Sequence, residues 1–428
     1  MADGVKLEAH GIPTATICST AFAGAARVQA AGRGFAELPI VEIPHPMHTA
    51  SKALIEGRAA DAAESIAKAL LEGAAARGAL GEDILEDRIE IDAGPVALAE
   101  FFFTHGWTDG LPVTPPTAES VAAMVAASGR AAAETIGPIP PRMRIATLEK
   151  LAVNAVMAGC RPVYFPVVLA ALDAVLDENI RLYGIQTATN TSSALLIVNG
   201  PIVKELGLNA RGNVFGQGNR ANATIGRALQ LILRNVGGDL PGETDMATHG
   251  HAGKYTFCIA ENAVESPWEP YHVWKGFEPD QSAVTVFGAT NPENVNDHVS
   301  GEPVGILGTM ASVIATKGTN NTYYNSMEIG CIFGLEHAQI IASHGWTRTD
   351  VAYYLYEHAR LPLGKLRSGG MWGMHIWPKW MDCETADDKL MPVVRDPNDF
   401  AVFVAGAKGK HSSVVKAYAA NRSVTLPI

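Results

Sequence analysis

The chain has 428 residues, 47% hydrophobic and 18% charged, which is enough apolar sequence for roughly two or three domains with large cores. A formal net charge of −11 argues against nucleic acid as the main partner, since phosphate neutralisation needs clustered Lys and Arg and no basic run is present. Five scattered cysteines (Cys18, Cys160, Cys258, Cys331, Cys383) without a CxxC pair argue against a disulfide scaffold or zinc ribbon and fit a reducing cytoplasm. The N-terminus lacks the basic start and apolar run of a signal peptide, and no apolar window is long enough to span a membrane; a cytoplasmic protein is expected.

Residues 12–18 (IPTATIC) and 38–44 (LPIVEIP) read as strands, with helices expected over 22–31 and 53–76. That β-α-β-α order predicts parallel strands joined by right-handed crossovers. Ligands collect beyond the carboxyl ends of such strands, where Cys18, His45 and His48 fall. The alternative for His45, between Pro44 and Pro46, is a turn-shaping role. Two strands do not make a stable sheet alone, so this segment is expected to borrow strands from elsewhere.

On the GIPT strand, Cys18 and the Pro44–His45–Pro46 turn, residues 1–80 resemble the C-terminal half of a domain in the selenoprotein B subunits of glycine, sarcosine and betaine reductases, and more closely the small UGSC family. The resemblance implies reductive or eliminative cleavage of a carbon–heteroatom bond in a small, anionic molecule. In those families the preceding half carries a selenocysteine or cysteine before a second cysteine. No such pair stands in this chain, so a separate small CxxC or UxxC subunit is expected to supply it; loss of the redox pair is the alternative.

Residues 81–94 read as an acidic linker, and 95–428 as a large α/β, mixed-sheet domain. THGWTDGLPVTPPT places His105, Trp107, Thr108 and Asp109 in a Gly- and Pro-fixed loop, with His105 and Asp109 as possible acid/base partners. The plainer reading is a lead-in to a helix capped by Thr117. HGWT recurs at 344–347, where Gly345 ending one helix and Thr347 capping the next explain it. GPIPPRMR reads as a Pro-fixed loop placing Arg142 and Arg144 ahead of the Cys160 helix, suited to binding a carboxylate or phosphate, with solvent-facing arginines as the alternative.

In Thr147–Pro166 a helical run stops at Gly159, and Cys160 follows beside Arg161, close to the start of a second apolar helix. Positive charge and free N–H groups favour a thiolate there; a buried corner cysteine is the alternative. The segment 211–238 runs from a glycine-rich turn into an apolar helix, with Asn213, Asn219, Arg220 and Asn222 at or before its N-terminus. It reads as a seat for a small anionic or amide-bearing substrate, unless the asparagines satisfy loop backbone. Lys254 and Glu261 flank an expected strand at an active-site edge, and His249 with His251 offers a weak metal-ligand spacing; no cofactor is required by the sequence. The polar 291–300 stretch reads as a loop, and 399–415 as a strand, a loop and a helix start. The loop 361–384, with three of the seven tryptophans, reads as a lid or an oligomer contact.

Three functions are weighed. The first is a thiol-dependent oxidoreductase or lyase using Cys160 or Cys18, with His105 and Asp109 as acid/base groups and Arg220, Asn219 and Asn222 as substrate clamp. The others are a non-redox lyase, hydratase or hydrolase on the same scaffold, and a non-catalytic scaffold subunit.

Overall fold

The computed structural model describes residues 2–47, 49–72, 89–91, 94–324, 327–372, 383–418 and 421–428. His48, most of the 81–94 linker, and Trp377 and Trp380 of the aromatic loop lie outside the described residues.

The β-branched strands Thr16–Ser19 and Ile40–Ile43 pair in parallel around helix Ala23–Gly32, followed by helix Lys52–Glu72. A helix joins the two parallel strands, and no further strand joins this pair among the described residues. Arg33 lies over the Tyr183 ring at 4.9 Å, which places the segment against the rest of the chain.

Two four-stranded mixed sheets follow. One runs Val424–Pro427, Ala283–Ala289, Ser193–Asn199, Cys258–Ala260; the other runs Glu293–Asn296, His411–Lys416, Ile329–Phe333, Phe400–Val404. In both, the first two pairings are antiparallel and the third parallel. The chain visits them in matching order. Three strands of the first sheet precede Glu293–Asn296, which crosses to the edge of the second. The other three strands of the second follow it and precede Val424–Pro427, which crosses back. Ala289 and Ala417 bridge where the two crossings begin.

Period-two alternation stacks these sheets into four layers. Leu195 and Ile197 meet Ala401, Phe403 and Ile332 between the sheets. The alternate residues Ala194, Leu196 and Val198 face helices Leu148–Met157, Phe165–Leu176 and Arg220–Asn235. On the far side Ile329, Cys331, Phe333, Val402 and Val404 face helices Pro303–Ile314, Leu335–Ser343 and Arg348–His358. The fold is α/β with mixed sheets. Among the described residues no single helix is long and apolar enough to cross a membrane.

Several local expectations are corrected. His411–Lys416 is a strand, because Ser412, Val414 and Val415 are buried between neighbours on both edges. Glu293–Asn296 is a strand rather than a loop, its polar residues lying on a sheet edge. GPIPPRMR, read as a loop, belongs to a hairpin, Thr135–Ile139 against Arg144–Thr147. Both HGWT copies form one kind of helix end. Gly106 and Gly345 take left-handed φ of 69° and 81°, and His105 and His344 donate from Nδ1 to the Phe101 and Ile340 carbonyls. Thr117 and Thr347 cap the helices that follow.

Candidate functional site

Helix Arg220–Asn235 organises the site. Its inward face (Ile225, Ala228, Leu229, Ile232) is buried against helix Leu148–Met157 and the first sheet. Gln230 and Arg234, one helical turn apart, share another face and border a cavity of about 390 Å³. Helix Leu182–Thr187 contributes Gln186, the amino end of Ser193–Asn199 contributes Ser193 with Ser192 just before it, and the loop 239–255 wraps the remainder. The cavity thus sits at the amino end of its strand, not beyond a carboxyl end.

That loop is ordered by its own polar groups. Thr244 is buried and donates to the Gly238 carbonyl at 2.6 Å while accepting from Leu240 N–H. Arg142 supports it from behind: its N–H donates to the Gly237 carbonyl, and its guanidinium binds Glu243 at 2.7 Å. Arg142 does bind a carboxylate, but one belonging to the protein.

The lining carries an unusual number of buried polar atoms without a hydrogen-bond partner: both amide atoms of Gln186, Ser192 Oγ, Arg234 Nε, Asp239 Oδ1 and His251 Nε2. Gln186 is 2% exposed. Each such atom costs about 1–3 kcal/mol when left unpaired, so a cluster of residues that carry such atoms and line one cavity marks a place for a polar ligand. Burial, and secondly the Asp245 charge, push the Asp239 carboxyl up to about 7, against the pull of Lys254 and Arg234. Lys254 binds Asp245 at 2.5 Å. Burial and Lys254 push His251 down to about 4.

Of the residues expected from sequence, Asp109, Lys254, His249 and His251 come together here. Asp109 is not partnered with His105. It takes two hydrogen bonds from Arg227, and although burial alone would raise its pKa, the Arg227 hydrogen bond and charge hold it below the ordinary range. His105 instead bonds the Phe101 carbonyl and stacks on the Phe101 ring, centroids 4.0 Å apart. Trp107 packs beside it, and buried Thr108 donates to the Leu111 carbonyl. Among the described residues no group of three or more His, Cys, Asp or Glu is placed to hold a metal ion, and His251 has Nδ1 engaged by Gly253 N–H.

The other expectations fail for identifiable reasons. Cys160 is buried, donates to the Thr224 carbonyl, and is pushed by burial up to about 12; Arg161 is exposed and the nearer cation, Arg220, offsets this only in part. Arg220 donates twice to the Gly159 carbonyl. Asn219 caps the helix through Asn222 N–H and donates to Gly207 O, Asn222 brackets the Asn209 backbone, and Asn213 holds Gln217 O from a left-handed φ of 58°. These asparagines satisfy their own loop. Glu261 is buried in a network with Asn199, Tyr271 N–H and Arg348, outside the cavity lining. Gln186, Ser192, Arg234, Asp239 and Asp245 were missed. The acidic pair flanking Pro241–Gly242 was the available signal.

Comparison with known proteins bears on the N-terminal segment. Residues 1–72 match the UGSC family model. The UGSC match stops well before the cavity, and no curated protein matches the chain. Within the UGSC segment, Cys18 pairs with Glu42 in the ladder, and burial followed by that charge raises its thiol pKa. His45 lies 3.2 Å from Ser19 Oγ, on the residue next to Cys18 and therefore on the opposite strand face.

Proposed function

We propose that the chain is an acid–base enzyme of the lyase or hydratase class, adding or eliminating a small molecule such as water on a small anionic substrate held in this cavity. The observation that carries the reading is Asp239: a residue in the cavity lining, its carboxyl holding a sequestered oxygen unpartnered among the described residues and poised about 7. A group with its pKa near the working pH both accepts and returns a proton efficiently. In the elimination direction the Asp245 carboxylate, which also lines the cavity, takes the proton from the substrate carbon, and the C–H electrons form the double bond. The C–O bond breaks as the Asp239 carboxyl gives its proton to the hydroxyl, which departs as water. In the addition direction Asp239 takes a proton from water, whose oxygen bonds to carbon, and Asp245 returns the other proton to the neighbouring carbon. Arg234 and Lys254 favour an anion, and the more so when Asp239 is neutral.

This favours the non-redox alternative over the thiol one, because no cysteine lines the cavity and Cys160, Cys258 and Cys331 are buried with raised pKa values. For the UGSC segment, a small separate CxxC or UxxC polypeptide remains the proposed partner, supported by a two-stranded ladder that gains no third strand among the described residues. Screening small hydroxy and unsaturated carboxylates for reversible hydration, with and without iodoacetamide, tests the main reading. Turnover that survives alkylation and falls in Asp239→Asn supports it; turnover abolished by alkylation overturns it.

A further inference from the structure

His251 is fixed in what it offers the cavity. Gly253 N–H donates to Nδ1 at 3.1 Å, so Nδ1 is the unprotonated nitrogen, and a neutral ring carries its proton on Nε2. Phe257 meets the ring edge-on, centroids 5.4 Å apart at 77°. Glycine at 253 makes room for this arrangement: a Cβ there would collide with His251 Cε1 and lie 2.7 Å from Phe257 Cδ1. Burial, then the Lys254 charge, keep the ring neutral through the physiological range. Nε2 is buried on a residue of the cavity lining and has no hydrogen-bond partner among the described residues.

We propose that His251 is an electrophilic donor whose Nε2–H binds a carbonyl or carboxylate oxygen, so that this cavity takes a small carbonyl compound as substrate. The proposal deepens the acid–base reading and rests on it for the proton transfer, though not for the contact. A neutral imidazole stabilises charge developing on oxygen without surrendering its own proton, and it does so best in a dry, pre-arranged site. The rest of the lining agrees. Arg234 Nε, Gln186 Nε2 and Ser192 Oγ add unpartnered donors, against Gln186 Oε1 and Asp239 Oδ1 as acceptors. A donor-rich wall selects an oxygen-rich ligand, and an oxygen bound there shares the cavity with the Asp239 carboxyl.

Long-range nitrogen–proton NMR on histidine-labelled full-length protein tests this, with acetate and acetamide as probes. The expected ring is the Nε2–H tautomer from about pH 5.5 to about pH 8. Millimolar acetate or acetamide is expected to move its Nε2 proton downfield. His251→Gln, which keeps an amide donor near the same place, should retain probe affinity that His251→Leu loses by roughly tenfold. An imidazolium or Nδ1–H ring in that range, or an Nε2 proton unmoved by both probes, overturns the proposal. The Asp239 carboxyl carbon, titrated in the same sample, separates the two readings. If it titrates in the ordinary carboxylate range while His251 responds as stated, the acid–base reading falls and the donor stands; if it titrates near neutrality and His251 fails, the reverse holds.

Discussion

Arg227 binds Asp109 through two nitrogens, Nε to Oδ2 and Nη2 to Oδ1, both at 2.8 Å. The same guanidinium reaches the Leu111 and Pro112 carbonyls, so one side chain of helix Arg220–Asn235 ties down the whole loop after Gly106. With side chains only 14% and 9% exposed, removing one partner leaves a poorly solvated charge. Asp109→Ala is expected to cost about 3 kcal/mol, read by denaturant titration. Because the folded pKa of Asp109 lies below its unfolded value, the pair's contribution is full above the ordinary carboxylate range and is lost as pH falls through the folded value. The stability difference between wild type and Asp109→Ala should therefore shrink in acid and stay constant above it.

Asp239 has the opposite sign. Its folded pKa is raised to about 7, so the folded state holds a proton that the unfolded chain releases, and stability declines as pH rises from the ordinary carboxylate range to neutrality. Asp239→Asn should flatten that decline and make the protein more stable than wild type above neutral pH, while lowering turnover by roughly 10²- to 10⁴-fold. A variant that loses stability at high pH would show that Asp239 is a structural anion.

Cys160→Ser keeps a donor for the Thr224 carbonyl at 3.2 Å in wild type, and the buried thiol has no path to thiolate chemistry at neutral pH. Turnover should be unchanged within about twofold and Cys160 should resist iodoacetamide in the folded protein. Abolished turnover with an unaltered thermal transition would restore the cysteine to the mechanism.

Glu261 joins the end of Cys258–Ala260 to the second half of the chain. It accepts from Asn199 Nδ2 and Tyr271 N–H and faces Arg348, while neighbouring Asn262 N–H bonds Val404 O in the other sheet. Glu261→Ala strands Arg348, itself 4% exposed, and should cost about 3–5 kcal/mol by denaturant titration. Loss within about 0.5 kcal/mol, the range of ordinary surface substitutions, would mean that the Asn199 and Arg348 contacts are redundant.

The contrast between Glu261 and Asp239 shows what the sequence made legible. Apolar runs such as Ser193–Asn199 and Ile329–Phe333 announce buried strands because their chemistry is local. So do the caps at Thr117 and Thr347. Polar side chains are ambiguous: Asn219, Asn222 and Arg220 make a persuasive anion seat in one dimension, yet each is consumed by backbone groups that only the folded loops bring near. Asp239 looks like one acidic residue among many. Its character comes from burial and from the charges of Asp245, Lys254 and Arg234, gathered from a wrapped loop and a helix. Lys254 and His251 were visible because they cluster in sequence as well as in space, although their roles were not.

The exchanged strands bear on how the protein is made. The sheet holding Ser193 is closed on its far edge by Val424–Pro427, which pairs with Ala283–Ala289 although the strands of the other sheet lie between them in sequence. During synthesis from the N-terminus, the sheet that carries Ser193 waits on a strand made long after it. A nascent chain halted before Val424 presents Ala283–Ala289 as a bare apolar edge, a target for chaperones and proteases, so quality control can recognise an unfinished site before any substrate meets it.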